Sequence, residues 1–142
     1  MADAPIDLMR LEGEGNSVVL RITGMEPQRD PDATPALTGE FLVDTPFVRG
    51  SVAAWLLPED LRQWQQALDA LDAGRDIAWR EGTRGPRLFV ERDGDGERCR
   101  VTVEDASTSL TTVTVTVPLK DEWFDDAYHR LDLIWDAWPL NG

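Results

Sequence analysis

Two stretches of the chain carry apolar residues at helical spacing, and each follows a long run in which apolar residues recur at every second position. Such an order leaves few folds open, because a helix with one apolar stripe and a strand with one apolar face must cover each other. The first stripe is Leu61, Trp64, Leu68 and Leu71, with Arg62, Gln63, Gln65, Gln66 and Asp69 on the solvent side. Pro58-Glu59-Asp60 suits a first helical turn, and Gly74 suits a helix end. Leu57 has no side-chain oxygen with which to cap this start, so the helix is expected to rely on packing there. The second stripe, within Lys120 to Trp138, is Phe124, Ala127, Tyr128, Leu131, Ile134, Trp135 and Trp138, stopped by Pro139.

The period-2 segments before the first helix are Ile6 to Leu11, Ser17 to Thr23, Leu37 to Asp44 and Phe47 to Leu56. Glu12 to Asn16 and Thr45-Pro46 supply the turns, so two hairpins are predicted. Met25 to Ala36 holds Pro27, Pro31 and Pro35 and is predicted to be a mobile loop, residues 25–36. After the first helix come Asp76 to Arg80, Arg87 to Arg92, Glu97 to Glu104 and Ser109 to Pro118, a four-strand meander. Residues 1–142 are therefore expected to form a single α+β domain in β4-α-β4-α order. The predicted architecture is one curved antiparallel sheet of about eight strands, with both helices packed on one face. No residue-level repeat relates the two halves, so duplication stays a suspicion.

Acidic residues number 27 against 14 basic ones, for a formal charge of −13. A field of that sign repels phosphate backbones, so no nucleic-acid partner is expected. Cys99 is the only cysteine and Lys120 the only lysine among the 14 cations, an arginine bias that suits a GC-rich bacterial genome. One cysteine permits no internal disulfide and no thiolate zinc cage, and a reducing cytoplasm fits best. Met1 to Asp7 lacks the features of a signal peptide, and the longest apolar run, Val52 to Leu57, is too short for a bilayer. No membrane association, cofactor or metal is expected.

Single residues offer little chemistry. His129 is the only histidine, which leaves a Ser-His-Asp or metal-histidine cluster short of partners, and a surface position is expected. Cys99 stands in phase with Val101 and Val103 and reads as a small core hydrophobe rather than a nucleophile. Asp93-Gly94-Asp95-Gly96-Glu97 has carboxylates enough for calcium, but it lacks the length and flanking helices of an EF-hand loop and reads as a turn. Of six tryptophans most are assigned to the core, with Trp123 the best candidate for partial exposure. No catalytic residue emerges, and the chain is expected not to be an enzyme.

Collectively the acids say more. In the last helix Asp121, Glu122, Asp125, Asp126, Asp132 and Asp136 oppose only Lys120 and Arg130. Glu122, Asp125, Asp132 and Asp136 should point away from the apolar stripe as an acidic ridge. This ridge, with Trp123, is the predicted binding surface. The competing reading is a solvated face that keeps the protein soluble.

The segments Ile6-Asp7-Leu8-Met9-Arg10-Leu11, Glu14-Gly15-Asn16-Ser17 and Val19-Leu20-Arg21-Ile22-Thr23-Gly24 resemble those of an uncharacterised actinobacterial domain-of-unknown-function family. Pro58-Glu59-Asp60-Leu61, Trp64, Ala67-Leu68 and Trp135-Asp136-Ala137-Trp138-Pro139 belong to the same likeness. More distantly, the element order, Gly50 in the strand before the helix, and the Pro58 to Leu61 start are similar to WapI-type immunity proteins of polymorphic toxin systems. That resemblance implies a cytoplasmic, non-catalytic protein that neutralises a toxin by occlusion, and it carries over no binding residue. A basic toxin domain is the partner whose charge fits −13. The alternative is a small-molecule-binding or enzymatic domain of unknown reaction. Oligomeric state is not legible.

Overall fold

A computed structural model describes residues 4–26, 35–81, 85–94 and 97–138. Strands β1 (Ile6–Gly13), β2 (Asn16–Glu26), β3 (Ala36–Asp44) and β4 (Arg49–Leu56) precede helix α1 (Pro58–Asp72). Strands β5 (Ile77–Trp79), β6 (Arg87–Arg92), β7 (Arg98–Asp105) and β8 (Thr111–Pro118) precede helix α2 (Asp121–Ala137). Element order and the α+β class are as the sequence pattern indicates. Of the loop predicted over 25–36, Met25 and Glu26 belong to β2 and Ala36 to β3. Its centre, residues 27–34, lies outside the described residues, as do 82–84, 95–96 and Pro139.

The single eight-stranded sheet is corrected to two four-stranded antiparallel meanders, β1-β2-β3-β4 and β5-β6-β7-β8. Where β8 approaches β1 and β2, side chains replace a ladder. The Asn16 amide donates to the Thr116 carbonyl at 2.9 Å, and Arg98 pairs with Glu14 at 2.7 Å. At this seam the Pro118 ring lies so close to Gly13 that a Cβ there would meet it at 2.7 Å. Proline offers no N–H to extend a ladder, and such proximity at Gly13 requires the absence of a side chain. At the other end, Arg80 occupies the outward carbonyl of Trp55 at 2.9 Å, a position where a continuing sheet would place a strand.

Local chemistry explains the boundaries. Glu14 and Gly15 both have positive φ, 55° and 88°, as a two-residue turn between paired Gly13 and Asn16 requires. The start of α1 does have a cap, from inside the helix: the Asp60 carboxylate accepts the Leu57 N–H at 2.8 Å, the reciprocal half of a capping box. Its end is a Schellman closure, with Arg75 N–H on the Ala70 carbonyl, Gly74 N–H on Leu71, and Gly74 at φ 91°.

Each helix leans on the sheet of the other half: α2 packs against β1 and α1, while α1 packs mainly against β5 and touches β4. One contiguous apolar cluster results, from Leu8 and Phe41 through Trp64 and Trp79 to Val117 and Trp138. Arg80 is buried beside it, with φ 70°, donating to the Pro86 carbonyl at 3.0 Å and facing Asp60 at 3.6 Å. Of the tryptophans assigned to the core, Trp64, Trp79 and Trp138 are buried and Trp135 is half-buried against the cluster, while Trp55 stands on the outer face of β4 and is 55% exposed.

The β7–β8 turn is organised by Asp105, whose carboxylate accepts the N–H groups of Ser107, Thr108 and Ser109 and the Ser109 hydroxyl. These bonds, those of Ser109 foremost, hold its pKa down at about 2. A carboxyl depressed below its unfolded value of about 3.9 stabilises the fold fully above that pH, and the contribution is lost as pH falls toward 2. Asp105→Asn is therefore expected to lower the urea midpoint at pH 7 and to change it much less near pH 2. An equal effect at both pH values would contradict this role.

Candidate functional site

At 100° per residue, Glu122, Asp125, Asp132 and Asp136 fall within an arc of about 80° on α2. All four are exposed, and none joins an ion pair among the described residues. The predicted stripe is thus a geometric unit, and exposed His129 lies among its members. Asp126 stands apart from it, paired with Arg130 at 2.8 Å.

Helix α1 extends this surface. Tyr128 of α2 donates its hydroxyl to the Asp69 carboxylate, which brings the exposed acids Asp69 and Asp72 of α1 beside the stripe. Burial and the neighbouring Asp69 and Asp72 push the Tyr128 pKa upward, so this phenol keeps its proton. Sequence reading placed Asp69 only on the solvent side of α1 and did not single out Asp72, so both were missed as part of this surface. The available signal was their position: both lie in the last turn of α1, where a helix favours cations.

Trp123 is half-buried, and its role is to fasten the start of α2: its indole N–H donates to the Arg10 carbonyl at 2.7 Å. Together with Glu122, Trp123 borders a groove of about 900 Å³ between the start of α2, the end of β1 and the β7–β8 side. The groove is a mosaic of charge. Arg10 pairs with Asp7 and Glu12, Arg98 with Glu14, and Arg130 with Asp126, while Lys120 adds a further cation. Asp125, Asp132 and Asp136 lie outside it.

Cys99 is fully buried on β7, and burial pushes its thiol pKa up to about 12. Alkylation by iodoacetamide at pH 8 is expected only after denaturation. Labelling of the native protein at the rate of the unfolded chain would contradict this placement. Among the described residues no helix is long and apolar enough to cross a membrane, and no cluster of histidine, cysteine and acidic side chains is arranged to hold a metal.

A fold of two meanders and two helices, with an acidic helical face, defines a class rather than a chemistry. Residues 6–139 match the model of a family of unknown function (DUF5959), and the chain belongs to that family. No curated protein and no solved structure matches it.

Proposed function

We propose that the acidic face of α1 and α2 binds a basic protein, and that the chain is a cytoplasmic immunity protein that neutralises a toxin domain by occupying it. One observation carries this reading. Asp69 and Asp72 lie in the last turn of α1, and Asp136 lies in the last turn of α2, with no basic residue in either turn. A carboxylate at a helix C-terminus faces the negative end of the dipole and weakens the helix by about 0.3–1 kcal/mol. Solubility could be secured by acids elsewhere on the surface. Acids placed where they oppose the helices fit a surface whose charge serves binding.

Occlusion needs no catalytic group, only complementary charge and shape, and a strongly acidic face speeds encounter with a basic partner. The reading requires the neighbouring reading frame to encode a basic protein, and the test is co-expression with that product. The expected result is a stoichiometric complex that weakens as salt rises and protects cells from that product. The second reading, a small-molecule or enzymatic domain, draws on the groove beside Glu122 and Trp123. It would be favoured by a metabolite that raises the melting temperature and is displaced by substitutions at Arg10 or Lys120.

A further inference from the structure

β4 is an edge: β3 pairs along one side, and no described strand pairs along the other. Its bonding parity is fixed at both ends. The Thr45 N–H donates to the Val48 carbonyl at 2.8 Å across the turn, and the Trp55 carbonyl points outward to Arg80. Bonding alternates along an antiparallel ladder, so the N–H and C=O groups of Arg49, Ser51 and Ala53 also point away from β3. Arg80 closes this free row at Trp55.

Exposed edges are ordinarily guarded by bulges, proline, lysine or inward charges. β4 has none of these. Its ladder with β3 runs without interruption, whereas register shifts break the β1–β2 and β2–β3 ladders. In a chain of net charge −13 the strand carries no carboxylate, and its single charge is Arg49. Outward side chains at the middle of the row, Ser51 and Ala53, are small and exposed, so a second backbone can approach.

We propose that β4 pairs antiparallel with β4 of a second copy of this chain, about a two-fold axis at Ser51. That register sets Ser51 against its own copy and Arg49 against Ala53, and it uses all three free residues of each strand in about six backbone hydrogen bonds. It is also complementary in charge. The ladder neighbour of Ala53 on β3 is Glu40, on the same outward face, and Glu40 joins no ion pair among the described residues. Arg49 already pairs with the exposed Asp44 of its own copy at 3.3 Å, and its side chain, 81% exposed, exchanges that partner to reach across the small Ala53 of the second copy toward Glu40, twice by symmetry. The same register brings Trp55 opposite Phe47, 55% and 95% exposed, and covers both aromatics. Moving the axis to Val52 would instead require the Arg49 N–H to bond the Trp55 carbonyl, an acceptor that Arg80 already occupies and that the register about Ser51 does not use.

Light scattering on the whole chain at about 100 µM tests this, the expected mass being twice 15.9 kDa. Ala53→Pro removes an outward N–H that β3 does not use, so the fold should persist by circular dichroism while the dimer Kd rises at least about 100-fold. Arg49→Glu and Glu40→Arg should each weaken the dimer about 10-fold, and the double variant should restore it. Ser51→Cys should oxidise to a disulfide-linked dimer, because residues paired across a ladder lie within bridging distance and Cys99 is buried. Rising salt screens the repulsion of two acidic copies as well as the Arg49–Glu40 pairs, so the dimer should vary little with salt, unlike a complex with a basic partner, and the two proposals fail separately. A monomer at every concentration, or a dimer indifferent to Ala53→Pro, overturns the proposal. A monomer that loses a different protein upon Ala53→Pro assigns the edge to a foreign strand and overturns it as well.

Discussion

Trp64→Ala is expected to cost about 3–5 kcal/mol, a large share of the roughly 5–15 kcal/mol that holds a domain together. Trp64 is fully buried on α1, and its ring lies 4.8 Å from that of Trp79, which in turn meets Phe41 of β3 at 6.5 Å. This aromatic chain joins α1 to both sheets, so truncation opens a cavity at a place where the two halves share their core. At about 2–4 °C per kcal/mol, the melting temperature should fall by roughly 6–20 °C.

A milder substitution separates packing from polarity. The Trp64 indole N–H is buried without a hydrogen-bond partner among the described residues, whereas that of Trp79 donates to the Asp60 carbonyl at 2.9 Å. Trp64→Phe discards an unsatisfied donor and should cost less than about 2 kcal/mol, because the lost volume is partly offset. Trp79→Phe leaves the Asp60 carbonyl without that bond and should cost more. Urea unfolding of the three variants checks the order; equal costs for the two phenylalanine variants would contradict this view of the core.

The parts of the fold legible in the sequence are those with a strong period. Leu61, Trp64, Leu68 and Leu71 repeat at helical spacing and are all buried, and Val113, Val115 and Val117 alternate with exposed threonines. Sheet closure was not legible, because period 2 says which face of a strand is apolar and nothing about which strand lies beside it. The division into two sheets depends on Arg80 at Trp55, on Pro118 against Gly13, and on a bond from Asn16 to a strand 100 residues away. Long-range contacts of this kind leave no periodic trace.

The same distinction holds at the candidate site. The stripe of Glu122, Asp125, Asp132 and Asp136 follows from helical geometry alone, so the spacing of these acids along the chain is enough to find it. Its continuation through Asp69 and Asp72 has no such signature, since it depends on α1 and α2 lying side by side and on Tyr128 reaching Asp69. Trp123 is partly exposed, as its position at a helix start indicated, but its hydrogen bond to Arg10, which fastens α2 to β1, left no trace in the sequence.

Replacing Glu122, Asp125, Asp132 and Asp136 by lysine changes the net charge from −13 to −5, entirely on the proposed binding face. The fold should tolerate this, because the four side chains are exposed and join no ion pair among the described residues. Glu122→Lys opposes the dipole at the start of α2, while Asp136→Lys favours it at the end, so their effects on stability should nearly cancel. Binding should not tolerate it. Electrostatic steering raises association rates about 10–1,000-fold, and reversing the face removes that gain and adds repulsion.

The most direct test of the acidic face is the association rate of the wild-type chain and this quadruple variant with the product of the neighbouring gene, which the account requires to be basic, followed by stopped flow from about 0.02 to 0.3 M salt. Across this range screening shortens from about 20 Å to under 8 Å. The expected result is a wild-type rate that falls steeply with salt, and a variant rate about 100-fold lower at low salt that varies little or rises as salt is added. A variant that associates at the wild-type rate with the wild-type salt dependence would contradict the assignment and leave the acidic face a solubility device.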